Sequence, residues 1–181
     1  MDNSTENVTL FAVFVNDILK NYEKKKSDYL ELFDIVKGCD LSNPYNKIPI
    51  SIYNELCQWV EDNLGKFNLI RVGRSIGETV HASLVTNKII SDNTTPIEIM
   101  QALEKVANEM VQDPKGRGWN ILSHEDGKII MQRTQTFNSK LQLGLLDGLI
   151  RKSSVFSVNV DYVRSVEKGD EFDEYMITWA A

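Results

Sequence analysis

Residues 118–179, GWNILSHEDGKIIMQRTQTFNSKLQLGLLDGLIRKSSVFSVNVDYVRSVEKGDEFDEYMITW, decide the fold of this chain. They read as strand, turn, strand, helix, strand, turn, strand. The first strand runs from Gly118 to Ser123 and the second from Lys128 to Thr136. Between them lies His124-Glu125-Asp126-Gly127, a short hairpin turn ending in Asp-Gly, so the two strands pair directly. From Asn138 to Lys152, Leu141, Leu145, Leu146, Leu149 and Ile150 recur at helical spacing and make one apolar face. Val155 to Val163 then sets Val155, Ser157, Asn159 and Asp161 on one side and Phe156, Val158, Val160 and Tyr162 on the other. After the turn at Lys168-Gly169-Asp170, the strand Phe172 to Trp179 closes the chain. The order predicts a curved four-stranded antiparallel sheet in ββαββ order, wrapped on a helix, with a cavity between them.

Upstream lies a helical half, and the whole is expected to be one α+β domain over residues 1–181, with helices in 5–112 and the ββαββ half in 118–179. Val8, Phe11, Val15, Ile18, Leu19 and Tyr22 recur every three or four residues, which predicts a first helix from Thr5 to Lys25. A second helix is expected over Asp28 to Lys37, ending at Gly38. Cys39 to Pro49, rich in Asp, Ser, Asn and Pro, is expected to be a loop. Ile50 to Leu64 is read as a helix with Ile52, Leu56, Trp59 and Val60 inward. The next helix, Phe67 to Val85, carries Gly73 and Gly77 one turn apart, where a neighbouring backbone could approach closely. Thr95-Pro96-Ile97-Glu98 combines an N-cap, a first-turn proline and the acidic member of a capping box, opening a helix to Gln112.

Composition limits the function. The length allows a real core, and 42% hydrophobic residues describe a globular chain. A net charge of -6 argues against a nucleic-acid surface, because phosphate binding needs clustered cations and only Lys24, Lys25 and Lys26 stand together. Cys39 and Cys57 have neither the number nor the spacing of a disulfide framework or a zinc site, so a reducing, cytoplasmic setting is expected. The apolar run Val8 to Val15 follows Asp2 and Glu6 and stops at Asn16-Asp17, which predicts neither a signal peptide nor a membrane span.

Residues 35–65, with Gly38-Cys39-Asp40, Asn43-Pro44, Ile48-Pro49 and a helix ending Asn63-Leu64-Gly65, resemble the "Gly-x-Asp … Pro … x-Pro … helix" opening of bacterial sensory input domains. That group includes haem-nitric-oxide-binding-like proteins, the four-vinyl-reductase domain and the ligand-binding half of arabinose-type regulators. Gly169-Asp170-x-x-Asp173-x-Tyr175 through Trp179 is similar to the group's "Gly-Asp-x-x-Cys-x-Tyr … Trp" ending, and Gly148-Leu149-Ile150 resembles its Gly-containing helix. The resemblance implies a sensory, signalling role. Two departures qualify it. Haem-binding members place an axial histidine on the helix before the sheet, and Thr95 to Gln112 has none. Their Tyr-x-Ser-x-Arg motif for the haem propionates is missing from Lys128 to Thr136, and Asp173 replaces the cysteine of the other branch. No cofactor and no metal is expected.

Other polar candidates read as structural. His81 lacks companion ligands at metal spacing. His124 sits at a hairpin tip rather than in a pocket. Glu167, Asp170, Glu171, Asp173 and Glu174 lack the spacing of a calcium loop. Lys115-Gly116-Arg117-Gly118 resembles an anion-binding nest, but two glycines also simply let a strand begin. Cys57, beside Leu56 and Trp59, reads as core. No nucleophile elbow, phosphate loop, dinucleotide fingerprint or His-Glu-x-x-His is present, so nothing asks for catalysis.

If the sheet and its helix close against the helix bearing Gly73 and Gly77, the space between is lined by Ile76, Val80, Trp119, Ile121, Ile129, Met131, Leu145 and Leu149. Such a lining suits an apolar ligand, and equally fills an ordinary core. Three functions follow. The first is a sensory or regulatory domain for an apolar small molecule, expected to act through a partner signalling protein or a homodimer because no output domain is expected after the last strand. The second is a ligand-free dimerisation or interaction module, which predicts an apolar patch at Phe11, Phe14 and Ile18. The third is an enzyme, for which only Arg133, Gln135 and His81 can be nominated.

Overall fold

A computed structural model describes residues 4–180. Its C-terminal half is the expected ββαββ arrangement. Strands and helices are numbered along the chain: β1 Thr9–Phe11, α1 Ala12–Lys20, α2 Leu30–Asp34, β2 Lys47–Pro49, α3 Ile50–Leu64, α4 Lys66–Thr86, α5 Pro96–Met110, β3 Val111–Gln112, β4 Trp119–Glu125, β5 Lys128–Arg133, α6 Ser139–Ile150, β6 Phe156–Arg164 and β7 Asp173–Ala180. Four strands form one antiparallel sheet in the order β4-β5-β7-β6. The β4–β5 hairpin turns on Asp126-Gly127, with Gly127 at φ 74, so His124 and Glu125 belong to the strand rather than the turn.

Register places Ile129 opposite Ile177, Met131 opposite Tyr175 and Arg133 opposite Asp173. All six side chains are buried, so one face of the sheet carries an apolar stripe that ends in an ion pair. α6 packs on this face and against α4 behind it, which is why its leucines other than the half-buried Leu143, its glycines and Asp147 are buried. β6 departs from simple alternation. Ser157 at φ 51 makes a bulge between Phe156 and Asn159, and Phe156 is left 70% exposed instead of joining Val158 and Val160 inside.

α4 and α6 cross at backbone contact. A Cβ added at Gly73 would lie 2.1 Å from the Leu141 carbonyl oxygen, and one at Gly77 2.3 Å from that of Leu145. The reverse holds for Gly144 against Ile70 at 2.0 Å and Gly148 against Arg74 at 2.2 Å. The two glycines read from α4 therefore meet two more on α6. Asp147, beside this seam, accepts ion pairs from Arg74 and from Arg151, the latter at 2.8 Å.

The N-terminal half differs from expectation. Thr9–Phe11 is the middle strand of a second, three-stranded sheet in the order β2-β1-β3, and the first helix begins only at Ala12. Val8 and Leu10 are buried at strand spacing, and partners far along the chain, at Lys47–Pro49 and Val111–Gln112, satisfy the backbone. Those partners lie inside the expected loop and at the end of the expected helix 95–112. Residues 23–29 form a kinked 3-10 segment, and only Leu30–Asp34 of the second expected helix is helical. At α5 the Glu98 carboxylate accepts from the Thr95 amide at 2.9 Å and the Thr95 hydroxyl at 2.6 Å, which holds its pKa below the ordinary value. No described helix is long and apolar enough to cross a membrane.

Candidate functional site

An apolar cavity of about 60 Å³ lies where the two halves meet. α1 contributes Phe14, α3 Tyr53, α4 Val80, α5 Leu103 and Ala107, the sheet Trp119, and α6 Leu145. Tyr53 and the neighbouring Phe137 stand edge to face, with ring centroids 5.4 Å apart. Two polar side chains interrupt this wall, Gln135 and Gln142. Gln135 is 1% exposed, and neither its Nε2 nor its Oε1 has a hydrogen-bond partner. Leaving a buried amide group unsatisfied costs about 1–3 kcal/mol, so this side chain is held against its own preference.

Gln135 is held there by its backbone. Arg133, 4% exposed, donates to the Gln135 carbonyl oxygen and to the carboxylate of Asp173, which is 0% exposed. Asp173 also accepts from the Ser139 hydroxyl at 2.5 Å and the Val166 amide at 3.0 Å. Tyr175 donates to the Ser139 carbonyl oxygen at 3.1 Å, and burial pushes its hydroxyl pKa up. One buried ion pair thus ties β5, β7 and the start of α6 together.

On the far side of Gln135 and Phe137 is a surface groove of about 360 Å³, also walled by Asn54, Arg133, Thr136 and Glu167. Asn54 Oδ1, Arg133 Nε and Thr136 Oγ1 are buried there without partners. With the two atoms of Gln135 they make five of the seven such side-chain atoms among the described residues. The clustering marks this wall as the place where the fold leaves hydrogen bonds unmade.

Of the eight expected lining residues, Val80, Trp119 and Leu145 line the cavity. Ile76, Ile129, Met131 and Leu149 are buried in the core and do not line it, and Ile121 is half-buried elsewhere. Sequence reading missed Phe14, Tyr53, Leu103 and Ala107, which come from elements whose docking is not local. Gln135 carried a signal that was not used for the pocket: it shares strand parity with Ile129, Met131 and Arg133, which all point inward.

Arg133 and Gln135 are adjacent, but His81 is not with them. It is 8% exposed on α4, beside a groove shared with Glu78, Asp92 and Lys152, so the three nominated catalytic groups do not converge. Nor does the first helix present an apolar patch. Ile18 is 0% exposed, Phe14 faces the cavity and Phe11 stacks edge-on against Tyr45. Arg117 is engaged within the chain, pairing with Asp113 at 2.6 Å and donating to the Ser4 carbonyl oxygen at 2.8 Å, so the Lys115–Gly118 segment is not an open anion nest. Cys57 is fully buried, and burial drives its thiol pKa far up. Among the described residues no group of three His, Cys, Asp or Glu is placed to hold a metal ion.

No protein-family model matches the sequence, and no curated protein matches it. Solved structures do match the fold. An H-NOX protein from S. oneidensis in the Fe(II)NO ligation state superposes with a TM-score of 0.71 at 12% identity, covering 95% of this chain and 100% of that one. An H-NOX protein from K. algicida, Fe(II) and unliganded, gives 0.67 at 14% identity over 95% and 97%. More distantly, a trafficking protein particle complex subunit 3 from Naegleria fowleri, covalently bound to palmitic acid, gives 0.52 at 13% identity over 73% and 92%.

The haem implied by the H-NOX structures does not fit the residues here. α5 offers no histidine, His81 faces a different groove and His124 is exposed on β4. The cavity, at about 60 Å³, is well below the roughly 300–1,000 Å³ of sites that bury drug-sized molecules. The β5–β7 ion pair, the four-glycine crossing and the sheet order belong to a chain that has the H-NOX fold.

Proposed function

We propose that this chain is a haem-independent sensory domain that binds a small apolar molecule and passes the bound state to a partner protein or to a second copy of itself. The observation that carries the reading is the apolar cavity between α1, α3, α4, α5, α6 and the sheet, with the unpartnered amide of Gln135 in its wall. A molecule held there touches both halves of the fold, so its affinity differs between any two arrangements of those halves, which is what a sensor requires. Val80, Trp119 and Leu145 are the contacts that sequence and geometry share.

One fold neighbour supports an apolar occupant, since it is covalently bound to palmitic acid. Covalent attachment is not favoured at Cys57, whose thiol is held protonated by burial. Cys39 and Cys57 are both free, consistent with work in a reducing compartment such as the cytoplasm.

Xenon tests the reading, because it fills dry apolar cavities without needing a polar contact. Methyl NMR under xenon pressure is expected to show saturable shifts at Val80, Leu103 and Leu145, and to show none in Ala107→Leu, whose larger side chain occupies the space. Equal, unsaturable shifts in both proteins would sink the proposal.

A further inference from the structure

We infer that the groove beside the cavity is a head-group site for an uncharged amphiphile, whose short apolar tail enters the cavity and whose head completes the unmade hydrogen bonds of Asn54, Arg133, Gln135 and Thr136. This deepens the proposed function and rests on it. The two spaces adjoin at Gln135 and Phe137, and a ligand that parts these two side chains reaches both. The atoms offered are of both kinds. Gln135 Nε2 and Arg133 Nε donate, Asn54 Oδ1 and Gln135 Oε1 accept, and the Thr136 hydroxyl does either. A head carrying both a donor and an acceptor, such as a primary amide, matches that set.

Charge decides against an anionic head. The Arg133 guanidinium is already met by Asp173, which is fully buried and directly opposite it in the sheet. Lys140, next to Ser139 at the groove, pairs with Glu61 at 2.6 Å and with Glu167, itself a groove residue. No described cation facing the groove is uncompensated, and Glu167 repels a carboxylate placed there. The tail must be short, since about 60 Å³ is well under the roughly 150 Å³ of an engineered apolar cavity that takes up benzene.

The test compares butanamide, butanoate and xenon on the intact chain at neutral pH, by NMR titration. Butanamide is expected to bind at least about tenfold more tightly than butanoate, a difference of about 1.4 kcal/mol. Gln135→Leu is expected to remove that preference while xenon uptake persists, and Thr136→Val, nearly isosteric, to weaken butanamide in part. Xenon uptake with no preference between the two amphiphiles, a preference for butanoate, or butanamide binding untouched by both substitutions would overturn the head-group inference alone. Absence of xenon uptake would instead remove the cavity reading beneath it, and this inference with it.

Discussion

Replacing Gly144 by Ala puts a methyl group where there is no room. The new Cβ would lie 2.0 Å from the Ile70 carbonyl oxygen and 2.9 Å from the Arg74 amide nitrogen, both backbone atoms that cannot rotate aside. Ordinary contact begins at 3.4 Å, so α4 and α6 would have to part by more than an ångström along the seam that holds the sheet to the helical half. Overpacking of this kind costs about 1–3 kcal/mol, and backbone contact on two sides places it at the upper end. Alanine returns about 1 kcal/mol through helix propensity. The net loss is about 2 kcal/mol, which for a chain of this size lowers Tm by about 4–8 °C. Gly38→Ala is the control, because nothing lies within 4 Å of its added Cβ, and its Tm is expected to hold or rise. Gly73→Ala and Gly144→Ala together should cost less than the sum of the two, since Gly73 faces Gly144 and the first methyl already opens the gap. Thermal unfolding by circular dichroism reads the three single variants and the double variant against the parent. A Gly144→Ala protein as stable as the parent, or strictly additive losses, would refute the close crossing.

Three further outcomes are expected. Asp173→Asn leaves the Arg133 charge buried without its partner and should destabilise by about 3–5 kcal/mol in urea unfolding, whereas a loss below about 1 kcal/mol would show that the pair is not the staple described. Ala107→Leu, which fills the cavity, should raise stability by about 1 kcal/mol, and a clear loss would mean that the space is already packed. Burial, reinforced by Lys152 and opposed by Asp92, holds His81 below its ordinary 6.5, so the folded chain keeps it neutral where the unfolded chain takes up a proton. Stability should therefore fall as the pH drops through 6.5 toward the folded value, and His81→Gln should lose that part of the slope. Parallel pH profiles for the two proteins would contradict the assignment.

The C-terminal half was legible because its signals are local. Asp126-Gly127 sets the hairpin, and the leucines of 141–149 set the helix. Both reappear, the helix within two residues of its expected limits and the second strand of the hairpin three residues short of Thr136. Gly73 and Gly77 announced a close approach, although the partner was visible only once Gly144 and Gly148 were seen facing them. The N-terminal strand was not legible for the opposite reason. Thr9–Phe11 is fixed by strands about 40 and 100 residues away, and helical spacing from Val8 onward masked the strand alternation of Val8 and Leu10. At the site, apolar periodicity found Val80, Trp119 and Leu145 but could not separate walls from core, so Ile76, Ile129, Met131 and Leu149 were placed with them. The ion pair of Arg133 with Asp173 joins residues 40 apart in sequence, and only strand register brings them together.

The central claim is that this H-NOX fold works on a small apolar molecule rather than on haem. Mass spectrometry tests it most directly, under native and then denaturing conditions, on protein from cells supplied with iron and a haem precursor. The expected result is a discrete non-covalent mass, smaller than haem, that is lost on denaturation and missing from the Ala107→Leu protein. An adduct with the mass of haem, or a small adduct that Ala107→Leu retains in full, would contradict it.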